Sequence, residues 1–321
     1  MKTALQQISQ PIAPSIAQFK QTYQQALQSD NALLQQMVAH ANLSSGKQMR
    51  PMLVLLCAQL CGGITPATLH AAVSIELLHV ASLIHDDVID EADERRGQPS
   101  MMAKFKNKAA VLGGDYFLCA ALAETVKTNN LDIIKAIANM GKVLVNGELL
   151  QLSGSKDAIY NEAYYFDVIR GKTAELFRTC SLLGALSSTS PNKEQTTLME
   201  QMGDAIGICF QLKDDIFDYQ EGEDVGKPVG NDIQEGKMTL PLLHIYEHAD
   251  AAEKAVILEA FQNKEVQKIQ QWVYEKGGIA YTQQQIDYYK EKALQYLQDF
   301  EDSPTRKAIE QFILLVANRN K

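Results

Sequence analysis

The stretch Leu83-Ile84-His85-Asp86-Asp87-Val88-Ile89-Asp90 ends a long apolar run with three carboxylates. Its spacing, Asp-Asp-x-x-Asp, recurs in Phe210-Gln211-Leu212-Lys213-Asp214-Asp215-Ile216-Phe217-Asp218. On an α-helix, positions one and four apart lie about 100° and about 40° round from the first, so each triplet gathers on one face. Like charges at helical spacing repel by roughly 0.2–0.5 kcal/mol, a cost that a bound cation removes. Most single acidic runs are solvated helix ends. With Asp at about 5% of residues, one chance match to this spacing has a probability of about 0.04, and two on apolar flanks far less. Oxygen-only ligands select hard cations, and magnesium is held by one or two carboxylates together with waters and substrate phosphate oxygens. The pattern implies magnesium and a substrate bearing a phosphate or diphosphate.

The bulk numbers frame that chemistry. The chain has 321 residues, 46% hydrophobic and 21% charged, with no compositional break or repeat, so a single domain spanning residues 1–321 is expected. A net charge of −9 and a pI of about 5.2 argue against a nucleic-acid partner bound through a basic surface. The start, Met1-Lys2-Thr3-Ala4-Leu5-Gln6-Gln7, lacks the apolar segment of a signal peptide, and no uninterrupted apolar stretch reaches about 18 residues. A soluble, cytoplasmic protein without a membrane span is expected. The five cysteines, Cys57, Cys61, Cys119, Cys180 and Cys209, lie in apolar segments without a Cys-x-x-Cys pair and read as buried thiols.

Along the chain, Ile16, Phe19, Tyr23 and Leu27 follow helical spacing, and a short helix follows Asp30. The loop Asn42–Pro51 carries Lys47 and Arg50 ahead of a buried helix from Met52 to Leu60. Thr65-Pro66 then caps the helix that holds the first triplet, with proline at the first helical position. Asp93–Pro99 reads as a loop with Arg95 and Arg96 near the acids. Helices are expected over about 115–129, 131–152 and 161–186, the last interrupted at Arg170-Gly171-Lys172-Thr173-Ala174, and the second triplet rides a helix starting near Glu194. There Gly203 and Gly207 allow a neighbouring helix to come close. The loop Glu221–Lys237 carries Lys227, Asp232 and Lys237, and helices with breaks near Asp250, Gly277-Gly278 and Ser303-Pro304 follow. No segment alternates with period two. The expected fold is all-α, a bundle of ten or more helices around a central cleft with a polar site on facing helices.

Lys47, Arg50, Arg95, Arg96, Lys172, Lys227 and Lys237 are each ordinary surface charges alone. Together with two acidic triplets they describe a polyanion site, Arg giving bidentate contacts and Lys a point charge. Gly171-Lys172-Thr173 resembles the end of a P-loop, but the glycine needed five residues earlier is Phe166 and no strand precedes it. Glu76-Leu77-Leu78-His79 matches the Glu-x-x-His of di-iron bundles without the second copy they require. His85-Asp86 could belong to a metal-dependent phosphohydrolase, which leaves the second triplet and the arginine pair unexplained.

In its His-Asp-Asp-x-x-Asp motif with Arg95-Arg96-Gly97 downstream, its second motif after Phe210-Gln211, and its Gly226-Lys227-Pro228-Val229-Gly230-Asn231-Asp232 segment, the chain resembles the trans-isoprenyl diphosphate synthases of the polyprenyl synthetase family over nearly its whole length. The resemblance implies an isoprenoid synthase fold and a prenyltransferase that condenses isopentenyl diphosphate with an allylic diphosphate. It assigns magnesium to Asp86, Asp87 and Asp90 and to Asp214, Asp215 and Asp218. Arg95, Lys172, Thr173, Gln211, Lys227 and Lys237 match positions that grip the allylic diphosphate. Lys47, Arg50, His79 and Arg96 match the isopentenyl diphosphate site, although Ser45 replaces the first glycine of the usual Gly-Gly-Lys. Ala81 and Ser82 stand where short-chain members carry aromatic residues, so a product of C20 or longer is implied, with Phe117 or Leu122 able to close the tunnel at C20. A homodimer is what the family implies, and the product could partition into membrane. Alternatives are a geranylgeranyl diphosphate synthase, the catalytic subunit of a heteromeric synthase, and a terpene cyclase, which has no second diphosphate for Lys47, Arg50 and Arg96 to bind.

Overall fold

A computed structural model describes residues 2–43, 46–220 and 230–319, which are almost wholly helical. The described helices are α1 (Lys2–Ile8), α2 (Ala13–Ala26), α3 (Ala32–Leu43), α4 (Met49–Leu60), α5 (Pro66–Ile89), α6 (Met101–Phe105), α7 (Asn107–Lys127), α8 (Leu131–Asp157) and α9 (Glu162–Ile169). A π-helical turn, Arg170–Ala174, leads into α10 (Glu175–Leu186) and α11 (Lys193–Tyr219). Then follow α12 (Asn231–Gln234), α13 (Leu240–His248), α14 (Ala251–Gln262), α15 (Val266–Glu275), α16 (Gly278–Gln295) and α17 (Pro304–Asn318). The chain forms two compact units, the first comprising Met1–Asn139, Thr179–Glu200 and Phe300–Ile309, the second Met140–Arg178, Gln201–Asp299 and Glu310–Lys321.

The first unit is built on α4 and α5. Every residue from Leu53 to Ala58 is fully buried, as an all-apolar helix must be. α5 starts where Thr65 Oγ1 accepts from Thr68 N at 3.3 Å and Thr68 Oγ1 accepts from Thr65 N at 3.1 Å, a reciprocal cap that satisfies two amides. Thr65 Oγ1 also reaches the Ser187 carbonyl at 2.7 Å, which ties the cap to the end of α10. Ile75 and Leu77, fully buried on α5, each contribute roughly 1.5–3 kcal/mol through lost apolar exposure.

α7 begins eight residues before its expected start and runs straight through Gly113-Gly114. Two glycines read as a break because each costs the helix about 1 kcal/mol. Their reason is tertiary: a Cβ on Gly113 would overlap the Met37 side chain, and one on Gly114 the His85 ring, so α7 lies close upon its neighbours. Between α5 and α6, the expected loop is instead a two-stranded antiparallel hairpin, Glu94–Arg95 against Gln98–Pro99. Its two-residue turn, Arg96-Gly97, has positive φ at both positions (55° and 72°), as the right-handed twist of a tight hairpin demands.

One more expectation changes. Cys119 on α7 is exposed, whereas Cys57, Cys61, Cys180 and Cys209 are buried as expected. Among the described residues, α5 and α7 are long and apolar enough by composition to cross a membrane. The apolar length of α5 goes into the unit's interior, whereas α7 turns Leu112, Leu122 and Val126 outward.

The second unit packs α9, α11, α13 and α16 around Tyr165, Ile169, Leu212, Ile216, Leu243 and Ile286. A second cluster under α13, α14 and α15 centres on Tyr219, Leu242, Ile257, Ile269 and Val273. Three breaks fall where the sequence placed them: Asp250 accepts from Glu253 N at 2.9 Å to cap α14, Gly277 turns at φ 83°, and Pro304 opens α17, whereas the break between α14 and α15 is an added one and α8 runs five residues past its expected end.

Candidate active site

In the first unit, the last turn of α5 separates its three acids. Asp87 is 3% exposed and receives both Nε and Nη2 of Arg95 on Oδ1, each at 2.6 Å. Burial raises its carboxyl above the ordinary range, and Arg95 counters by stabilising the anion. Asp86 is half-buried and Asp90 exposed at the helix end, where its N–H donates to the Asp86 carbonyl at 2.8 Å. Asp86 and Asp90 are thus the outward pair, while Asp87 anchors Arg95.

The hairpin turn swings Arg96 back over the loop before α4: a Cβ on Gly46 would lie 2.6 Å from Arg96 Nη1. That approach explains why glycine stands at 46 next to exposed Lys47. Arg50 and Arg96 both act on Glu76, whose carboxyl is raised by burial and pulled back by the two guanidiniums. His79 is driven well below its ordinary pKa by desolvation, then by Arg50, Arg96 and Arg95, and stands neutral at pH 7. A neutral imidazole among three guanidiniums suits an anion that takes hydrogen bonds as well as charge. Ala81 is buried, and half-buried Ser82 turns its hydroxyl to the His79 carbonyl at 2.9 Å. Phe117 is fully buried on α7, but Leu122 is 50% exposed and is not a floor inside this unit.

In the second unit, Lys172 and Thr173 sit in the π-helical turn. Such turns insert a residue into the helical ladder and recur at functional sites. Here the turn fits because glycines meet: a Cβ on Gly147 of α8 would lie 2.7 Å from Gly171 C, and one on Gly207 of α11 would overlap Ala174. Lys172 Nζ lies 2.8 Å from Glu148 Oε1 and donates to Gln151 Oε1 at 2.8 Å. Thr173 donates to Gln211 Oε1 at 2.6 Å, Gln211 Nε2 donates to Asp215 Oδ1 at 2.9 Å, and Tyr165 Oη donates to Asp215 Oδ2. Asp215 is 1% exposed, and burial with nearby Asp232 pushes it up to about 8, against the hydrogen bonds from Tyr165 and Gln211.

The other acids of the second triplet differ again. Asp218 caps α12, accepting from Asn231 N at 2.9 Å and Asp232 N at 3.1 Å. Asp214 is 43% exposed and pairs with Arg319 Nη2 at 2.7 Å; that guanidinium stacks 3.8 Å over Phe210. Lys237, ion-paired with Glu235, lines a cavity of about 140 Å³ together with Gln151, Lys172, Thr173, Gln211 and Asp232, against an apolar wall of Ile159, Val168, Ile169 and Leu243. Lys227 and the start of the Gly226–Asp232 segment lie outside the described residues.

No three carboxylate, imidazole or thiolate groups among the described residues converge into a closed metal cage. Asp86, Asp90 and Asp214, the more open acids, fit magnesium, which takes few protein ligands and completes its shell with water and phosphate. Sequence reasoning missed Tyr165, Glu148, Gln151 and Arg319. Nothing in their spacing marks them, since each acts through a contact with a distant helix.

An all-α chain with open carboxylates and separate clusters of Arg and Lys has the groups to bind a polyanion together with a hard cation. Residues 31–276 match the family model described as polyprenyl synthetase. The chain is 34% identical to octaprenyl diphosphate synthase of Escherichia coli over 313 residues, covering 95% of this chain and 96% of that protein. Among solved structures, geranylgeranyl pyrophosphate synthase from Bacteroides thetaiotaomicron is 39% identical, with TM-score 0.85 over 99% of this chain and 100% of that one. Polyprenyl synthase from Caulobacter crescentus, complexed with calcium and isoprenyl diphosphate, is 28% identical with TM-score 0.90 over 99% and 98%. The chain therefore belongs to the polyprenyl synthetase family, and it is a prenyltransferase of the trans-polyprenyl diphosphate synthase class.

Proposed function

We propose that this enzyme adds isopentenyl diphosphate head-to-tail to an allylic diphosphate, with magnesium held by Asp86 and Asp90 in the first unit and by Asp214 in the second, and releases an all-trans polyprenyl diphosphate longer than C20. The observation that carries the reading is that each unit holds both open carboxylates and an anion-binding cluster: Asp86 and Asp90 with Arg50, His79 and Arg96 in the first, and Asp214 with Lys172, Thr173, Gln211 and Lys237 in the second. Lys172, Lys237 and Thr173 receive the allylic diphosphate, while Arg95, fixed on Asp87, sets the position of the first acidic cluster. Lys47, Arg50, Arg96 and neutral His79 receive isopentenyl diphosphate. Magnesium, when bound, supplies Lewis-acid stabilisation of the leaving diphosphate. The allylic C–O bond breaks with its electrons leaving on diphosphate, and the lysines stabilise that charge as it develops. The isopentenyl double bond attacks the allylic carbon, and a proton passes to the departing diphosphate. An apolar wall such as Ile159, Val168, Ile169 and Leu243 keeps water from the cation.

The likeness to the B. thetaiotaomicron enzyme favours a second reading in which the product is C20. We also place the protein in the cytoplasm as a homodimer, with the exposed Leu112, Cys119, Leu122 and Val126 of α7 as the contact face. Incubation of the pure chain with magnesium, isopentenyl diphosphate and each allylic starter, followed by product mass measurement, tests the reaction and the product length. Products longer than C20 support the first reading and C20 the second. Arrest at C15 overturns both, and inactivity of the pure chain points to a heteromeric subunit.

A further inference from the structure

In the second unit, four side chains from three helical segments form one continuous hydrogen-bonded line. It runs from Tyr165 on α9 to Asp215 on α11, on to Gln211 one turn earlier, and ends at Thr173 in the π-helical turn. The donors fix its sense. Tyr165 is buried and donates to Asp215 Oδ2, so this oxygen is occupied. The other oxygen, Oδ1, is occupied by the Gln211 amide nitrogen at 2.9 Å. Gln211 turns its nitrogen toward Asp215 and its oxygen toward Thr173, where the hydroxyl meets it at 2.6 Å. Buried and taken at both oxygens, Asp215 is unlike its neighbour Asp214, which is 43% exposed.

We infer that Asp215 is a positioning residue rather than a magnesium ligand, and that Tyr165 locks it so that the Gln211 amide and the Thr173 hydroxyl keep one orientation toward the allylic substrate. The inference rests on the assignment of Thr173 and Gln211 to the allylic site. Tyr165 lines the same cavity as Thr173 and Gln211, and its hydroxyl is spent on Asp215. It removes the freedom of a carboxylate that, once loosened, would let the Gln211 amide flip and carry Thr173 with it. A half-satisfied buried network is worse than none, so loss of one hydroxyl reaches Thr173 through two intermediates.

The test compares Tyr165→Phe and Asp215→Asn with Asp214→Asn. Tyr165→Phe removes one oxygen and keeps the ring that packs in the core. Asp215→Asn keeps the shape but offers an N–H where the line needs an acceptor. The expected result for both is a KM for the allylic diphosphate raised about tenfold, an unchanged KM for isopentenyl diphosphate, and an unchanged half-saturating magnesium concentration. Calorimetric binding of farnesyl diphosphate in the absence of isopentenyl diphosphate should weaken by a similar factor, which gives a readout apart from turnover. Asp214→Asn should instead raise the magnesium requirement. A magnesium requirement that rises in Asp215→Asn as it does in Asp214→Asn returns Asp215 to the metal ligands and overturns the inference. Equal losses for both substrates, or unchanged farnesyl diphosphate affinity in Tyr165→Phe, also overturn it. If the unmodified enzyme shows no prenyl transfer but binds farnesyl diphosphate, the calorimetric comparison still decides the positioning role while the functional reading fails separately.

Discussion

Charged groups at the two clusters are held in different ways, and single substitutions separate them. Asp86 and Asp214 are both more open than the buried second acid of their triplets, so Asp86→Ala or Asp214→Ala should cut turnover by orders of magnitude while far-ultraviolet circular dichroism stays that of the parent. Near-normal turnover in both would remove them from the metal site. Arg96 reaches over Gly46 in the first unit and Lys172 lies against Glu148 and Gln151 in the second. Arg96→Ala should mainly raise KM for isopentenyl diphosphate, and Lys172→Ala that for the allylic partner; identical effects on both substrates would abolish the division. His79 adds a pH signature. Its native pKa is depressed by desolvation and three arginines, so below about 6.5 the unfolded chain takes up a proton that the native state refuses. The unfolded state then binds more protons, and stability rises with pH through the window from the depressed value up to about 6.5, above which the contribution is complete. Urea midpoints of His79→Gln measured from pH 5 to 7 should rise less steeply with pH than those of the parent. These charges were legible in the sequence because their chemistry is local. Tyr165, 50 residues from Asp215, and Arg319, 109 from Phe210, were not, because only the folded chain brings them to their partners.

Helices were legible wherever one apolar face had to be buried. Phe19 and Tyr23 on α2 and the run on α4 show this, as does the Thr65-Pro66 start of α5. The errors fell on glycine and on the tight turn. Gly113-Gly114 has the same local cost whether it ends a helix or admits Met37 and His85, so propensity alone could not decide between the two. The Arg96-Gly97 hairpin was hidden because its strands are only two residues each, too short to alternate. Product length belongs to α5. Ala81 is buried about a turn before Asp86, and Ser82 is half-buried on nearly the same face as that acid. Neither side chain is large enough to stop a growing chain, so Ala81→Phe or Ser82→Phe should shorten the products toward C15 to C20 while turnover persists, as read by product mass. If both variants give the parent's lengths, the prenyl chain does not pass these residues.

At the scale of the whole molecule, the question is what covers α7. Leu112, Cys119 and Val126 are spaced by seven, two helical turns, so they fall on one stripe with Leu122, and all four are exposed. The proposed two-fold homodimer would bury that stripe against its own copy. In an isologous contact, a residue on the axis meets itself. Cys119 lies midway between Leu112 and Val126, so two copies of α7 crossing at the centre of the stripe bring the two thiols together. Disulfide formation requires Cα atoms within about 4.4–6.8 Å, and the other four cysteines are buried and out of competition. Mild oxidation should therefore give a covalent dimer on a denaturing gel that Cys119→Ser abolishes without altering the native dimer. Leu122→Glu with Val126→Glu, by placing two carboxylates on each half of the buried stripe, should shift the protein to monomer in light scattering at micromolar concentration. A parent that is already monomeric there would refute the dimer. A parent that is dimeric but gives no cross-link, and whose double variant stays dimeric, would move the contact off α7.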